Sequence, residues 1–209
     1  MRTVKQKREK RSNRFTRNYF FVFSLIVLCL SIAAFSDNLF FDVGQPSNSD
    51  PKFIIHGLIM FCWYVIMVIQ TNRIRKLNYK AHMRLGISGF IVGLLAIISI
   101  ACLYIFNDTA WDQIPIFGKA NRVFFPVFIA LIATSYWKRE KPEWHKHAII
   151  VAILLFLEPL LGRSGSNLGL SPVLFASMVW FAMWLSLFIY DIVRLRRCLL
   201  YTSPSPRDA

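Results

Sequence analysis

An all-α bundle of six transmembrane helices, with both termini cytoplasmic, is the fold class this sequence predicts, and three observations predict it. Six long apolar runs (19–35, 53–70, 85–106, 123–137, 147–161 and 170–193) divide the 209 residues. Several approach the roughly 20 residues that a helix needs to cross a hydrocarbon core of about 30 Å. The shorter ones span if the bilayer thins slightly or their flanks snorkel. The connections alternate between strongly basic and nearly uncharged. Lys and Arg number eight in the N-terminal arm, five in the second connection, four in the fourth and four in the tail, against four in the remaining connections. By the positive-inside rule the basic side is cytoplasmic. The outer connections hold Asp37, Asp42, Asp50, Asp108 and Asp112. The net charge of +14 thus reads as a topology signal, with the basic arm facing anionic lipid rather than nucleic acid. The chain divides into a basic cytoplasmic arm (1–18), a transmembrane domain (19–193) and a cytoplasmic tail (194–209).

The first run follows a basic start and ends near Ser31-Ile32-Ala33-Ala34, which also suits a cleaved signal peptide. The length of the run and the charge alternation favour a retained span, and removal would leave five. The second run carries His56, Trp63 and Gln70, whose steps of seven place them on one helix face. They read either as a polar stripe facing the bundle or, singly, as a helix-start residue, packing and an interfacial anchor.

The third run is entered through His82, and Gly86, Gly89 and Gly93 follow on one face. An aligned glycine row needs a reason, because glycine costs helix stability. It serves either close helix packing or a flat cofactor lying below a histidine ligand. Tyr136 and Trp137 close the fourth run as an aromatic belt.

The fifth run repeats the entry of the third: His145-Lys146-His147 follows Pro142, as His82-Met83-Arg84 precedes its own run. This suggests a weak duplication of a basic, His-bearing, outgoing helix. Glu158 lies roughly 16 Å along the helix from His147 on the same face. Arg163, just beyond Pro159 and Gly162, is expected to fold back onto it. An outer polar cluster of His56, Glu158 and Arg163, with Arg122 nearby, follows.

The sixth run carries Trp180, Trp184 and Asp191 on one face, read as aromatic core plus a rim ion pair of Asp191 with Arg194. Cys29, Cys62, Cys102 and Cys198 have no redox or metal spacing and read as buried small hydrophobes. Residues 198–209 differ in composition from what precedes them and resemble a translated sequencing-adapter read-through. They are expected to be non-native or disordered.

Two neutral imidazoles from neighbouring helices at one depth are what a bis-histidine b-type haem requires. His82, His145 and His147 are therefore the candidate cofactor- and metal-binding residues, the alternative being a basic cytoplasmic rim. Zinc is the weaker occupant. Histidines two apart point to different sides, and no carboxylate or thiolate completes a tetrahedral set. No nucleophile–base pair, phosphate loop or carboxylate dyad points to a hydrolase.

The pattern His56…Trp63…Gln70, then Ala81-His82-Met83-Arg84-Leu85-Gly86, then Trp144-His145-Lys146-His147 resembles a group of uncharacterised bacterial polytopic inner-membrane proteins. That group has a His…Trp…Gln span and two His-x-Arg helix starts. The likeness covers roughly residues 53–162 and implies a bacterial inner membrane, with no activity to transfer. His147 stands where the second copy would carry Arg, so either His145 or His147 is the equivalent of His82. A looser likeness to transmembrane b-type cytochromes, in helix count and rim histidines, implies fold alone.

Two classes of function follow. One is a redox protein with haem b held by His82 and His145 or His147, meeting quinol or another small reductant. The other is a cofactor-free carrier, sensor or assembly factor with proton-coupled groups, Gln70, His82 and Asp191 inside and His56, Glu158 and Arg163 outside.

Overall fold

The computed structural model describes residues 2–41, 44, 46–106 and 110–202, all helix, turn or coil. The side chains of residues 2–14, 16, 39, 46, 47 and 195–202 also lie outside this description, as do Asp42, Asp108 and residues 203–209.

Nine α-helices and one 3₁₀ turn are seen among the described residues. They are α1 (Arg2–Ala34), α2 (Ser36–Leu39), α3 (Pro46–Ser49), α4 (Pro51–Arg75), α5 (Tyr79–Ile105), the 3₁₀ turn Trp111–Gln113, α6 (Ile116–Trp137), α7 (Pro142–Leu155), α8 (Glu158–Asn167) and α9 (Pro172–Thr202). Five of them are long and apolar enough to cross a membrane: residues Arg17–Ala34 of α1, then α4, α5, α6 and Pro172–Arg194 of α9. The pair α7 and α8 makes a sixth crossing if it is counted as one span bent by 51°. The basic arm and the first apolar run are one continuous helix, and α9 carries its backbone to Thr202, past the expected start of the foreign tail at Cys198.

The bend corrects the expectation of one unbroken fifth helix. Pro159 lacks an N–H, and its ring collides with the carbonyl four residues back in a regular helix. α7 therefore stops at Leu155 and a new helix starts at Glu158. An unbroken helix would have offered the Leu154 carbonyl to the Glu158 N–H. Here the Trp180 indole donates to that carbonyl at 2.8 Å. Trp180 is therefore the partner of a broken helix rather than plain aromatic core. α6 starts seven residues before the apolar run it contains, which places Lys119 and Arg122 on the helix.

Caps explain the other ends. Asp50 accepts from the Lys52 N–H at 3.0 Å and starts α4. Desolvation pulls its carboxyl upward, but the Lys52 N–H and ammonium outweigh that and hold it below the usual carboxylate range. α4 ends with Leu77 in the left-handed region (φ 60) and the Asn78 N–H on the Arg73 carbonyl at 2.9 Å. That geometry normally falls to glycine, and Gly169 (φ 70) supplies it in the same way after α8. Asn78 then caps α5 through the Ala81 N–H.

α4 packs between α1 and α5, α6 against α7, and α8 against both α1 and α9. Val27, Phe128, Ile150, Leu154, Leu157, Leu161 and Tyr190 are fully buried between them. Large apolar side chains such as Ile87, Ile98, Met178 and Phe188 are more than half exposed on the outside, as helices facing lipid require. Cys29 and Cys62 share that outer surface and Cys102 is half-buried, which corrects their reading as buried residues.

Gly165 marks the closest approach of α8 to α9: a Cβ there would sit 2.9 Å from the Phe175 Cβ. Gly165→Ala should cost roughly 1–3 kcal/mol through overpacking, more than the ~1 kcal/mol an alanine returns in helix propensity. Gly57→Ala, with nothing within 4 Å, should be neutral or stabilising. Thermal unfolding of both variants in one detergent checks the sign.

Candidate functional site

The His-Trp-Gln face of α4 lies on the small-residue face of α5. At one end His56 Nδ1 hydrogen-bonds the Ser99 hydroxyl at 3.0 Å. In the middle a Cβ at Gly93 would meet Trp63 Nε1 at 3.8 Å. Nearer the other end, a Cβ at Gly89 would lie 3.2 Å from Ile66 Cγ2, and one at Gly86 would lie 3.5 Å from Gln70 Nε2. The glycine row therefore serves close helix packing. The glycine surface proposed as a shelf for a flat cofactor is covered by α4.

At the end of the bundle where α4 and α6 finish, two of the predicted histidines meet. The His82 ring, in the first turn of α5, and the His145 ring, in the first turn of α7, have centroids 6.3 Å apart and planes at 83°. His145 Nδ1 donates to the Ser135 carbonyl at 2.8 Å, which leaves its Nε2 as the lone-pair nitrogen of the neutral ring. His82 Nδ1 and Gln70 Oε1 are both buried without a hydrogen-bond partner. Such orphaned atoms are costly and give this end a concentration of unmet polar capacity.

His147 does not belong to that pair. Its Nδ1 donates to the Glu143 carbonyl at 2.7 Å and its Nε2 lies 2.8 Å from Asp191 Oδ1, so both ring nitrogens are already engaged. Of the two candidate equivalents of His82, the geometry selects His145. It also corrects the expected Asp191–Arg194 ion pair, because Arg194 pairs with Glu143, as does Lys146 at 2.8 Å. Among the described residues no group of three His, Cys, Asp or Glu side chains is placed to hold a metal ion, so His82, His145 and His147 do not form a common site.

The expected outer cluster of His56, Glu158, Arg163 and Arg122 is resolved into four separate contacts. His56 is taken by Ser99. Glu158, at the first position of α8, accepts from Asn121 of α6 at 3.4 Å, and among the described residues no cation pairs with it. Arg122 lies over the Tyr104 ring. Arg163 points the other way, donating to Asp37 at 3.0 Å and to Asn38. The reason is the break before Glu158: it starts a fresh helix whose last turns lie against the end of α1.

Sequence reasoning missed the residues that fasten this junction. Ser164 donates to the Leu30 carbonyl at 2.9 Å. Asn167 donates to the carbonyls of Ala33 and Ala34 and to Asp37. The Ala33 and Ala34 carbonyls are among those that the end of α1 leaves without an intrahelical partner, whereas Leu30 lies one residue further in. The polar string Arg163-Ser164-Gly165-Ser166-Asn167, abrupt after an apolar run, is the signal that points to them.

The chain matches no protein-family model, no curated protein and no solved structure.

A double-mutant cycle separates the two pairings of Arg163. Arg163→Gln with Asp37→Asn should show a coupling of roughly 1–3 kcal/mol, the range for a hydrogen bond to a charged group. Arg163→Gln with Glu158→Gln should add without coupling. Unfolding midpoints of the four variants supply the measurement.

Proposed function

We propose an integral protein of the bacterial inner membrane, with six spans and both termini cytoplasmic, that works without a cofactor as a proton-coupled carrier, sensor or assembly factor. The observation that carries this reading is the break of the fifth span at Glu158, whose half-buried carboxyl has, among the described residues, one neutral amide partner and no cation. A charge inside a membrane is expensive and normally paired. Broken helices occur at membrane depth where they line a site. A neutral partner lets the proton come and go without breaking an ion pair. At the opposite end, the His82–His145 pair offers a second place for a proton to reside.

The test is charge movement after a pH jump, recorded from vesicles adsorbed on a supported membrane. Wild type should give a transient current that Glu158→Gln abolishes and Glu143→Gln, at the rim ion pair, leaves intact. An undiminished current in Glu158→Gln removes Glu158 from the role.

A haem-b redox protein reduced by quinol is the second reading, and the His82–His145 spacing favours it. Two ring nitrogens each about 2 Å from a metal put their ring centres roughly 6 Å apart, near the observed 6.3 Å. Against it, a porphyrin resting on the glycine row would have to displace Trp63, Ile66 and Gln70. Spectra of protein expressed with ample haem decide the matter. A reduced-minus-oxidised b-type difference lost in His82→Ala and in His145→Ala would establish this reading, and a colourless protein would remove it.

A further inference from the structure

At the end of the bundle where α1 enters and α4 leaves, an open cavity of about 310 Å³ is lined by Arg17, Asn18, Arg75 and Lys76. Three cations and an amide converge there, and none of the described lining residues is a carboxylate. Among the described residues none of the three cations forms an ion pair. Arg17 Nε is buried without a hydrogen-bond partner. Arg75 is held in place twice: its guanidinium lies 4.1 Å over the Phe21 ring, and its Nε donates to Asn72 at 3.1 Å.

The bland account is that these cations neutralise the carbonyl end of α4. A helix C-terminus carries only about half a negative charge, so three cations leave about two and a half positive charges uncompensated. An immobilised, planar guanidinium beside a second one is the arrangement that recognises tetrahedral oxyanions through paired N–H donors. The cavity lies at the end of two apolar helices, the depth at which lipid headgroups sit.

We propose that the cleft between α1 and α4 is a phosphate-binding site, formed by Arg17, Arg75 and Lys76, that takes the phosphate of an acidic lipid headgroup or free phosphate. This is independent of the role of Glu158. Arg17 and Arg75 supply the forked contacts, Lys76 a point charge and Asn18 a neutral donor.

Native mass spectrometry of the full chain in neutral detergent tests it, with phosphatidylglycerol, phosphatidylcholine and inorganic phosphate as separate probes. The expected result is retention of phosphatidylglycerol over phosphatidylcholine, weakened tenfold or more in Arg17→Gln/Arg75→Gln. Arg139→Gln, which removes an exposed cation elsewhere in the chain, should stay within twofold of wild type. Phosphatidylglycerol binding that inorganic phosphate does not match assigns the site to lipid. Inorganic phosphate binding that the double variant loses, without phosphatidylglycerol retention, assigns it to the free ion. If circular dichroism shows that the double variant is unfolded, Arg17→Lys carries the test: it keeps the charge and removes the fork, and should bind several-fold more weakly. Binding of neither anionic probe, or equal losses in the Arg139→Gln control, overturns the proposal.

Discussion

Everything else in the bundle is arranged around the close contact of α4 with α5. Within lipid, apolar side chains gain nothing by leaving one hydrocarbon surface for another, so helices associate through fit and through the few polar bonds between them. α5 offers a strip with almost no side chain, Gly86, Gly89 and Gly93, and α4 lays Gln70, Ile66 and Trp63 along it. The His56–Ser99 bond fixes the far end. An interhelical bond of this kind contributes only about 0.6 kcal/mol on average in membrane proteins. The strip must therefore act mainly through dispersion over its whole length. It sets the depth of His82, four residues before the first glycine, and so the height at which an imidazole from α7 can meet it.

The second constraint is that no backbone polar group within hydrocarbon can be left unmet. A proline between α7 and α8 frees groups that a regular helix would pair, and the repair comes from a distant part of the chain. Trp180 of α9 bonds the Leu154 carbonyl, and Ser164 and Asn167 dock α8 on carbonyls near the end of α1. A break held by α9 on one side and by α1 on the other is fixed in place, and Glu158 is fixed with it. The carboxyl consequently faces Asn121 rather than the arginine five residues along the chain.

The two ends of the molecule differ in kind. At the α2–α8 junction the charged and amide groups find partners, Arg163 with Asp37 and Asn38 and Asn167 with Asp37, and among the described residues the orphaned atom there is the Ser31 hydroxyl. Near the start of α5, Gln70 Oε1, His82 Nδ1, Arg17 Nε and Arg73 Nε are buried without a partner. A folded chain tolerates that cost of unmet polar groups more readily where a ligand or proton can occupy them.

The sequence by itself determined the apolar helices, though not the break between α7 and α8, because membrane helices are written in local terms: apolar length, charge bias at the ends, prolines and caps. It also determined which faces carry chemistry, since His56, Trp63 and Gln70 share a face through spacing alone, and it put His82 and His145 at one level. Tertiary structure decided the pairings. His145 rather than His147 meets His82, because Asp191 on α9 claims His147. Arg163 turns to Asp37 because the helix carrying it restarts at Glu158 and docks on α1. Asn121 carries no local signature of its role, and the polar string that holds Ser164 and Asn167 does not name their partners, since a hydrogen bond between residues 37 or 134 positions apart is fixed only when the helices pack. The glycine row shows the same division. Its existence is a fact of spacing, while its use as a bed for α4 depends on which helix arrives there.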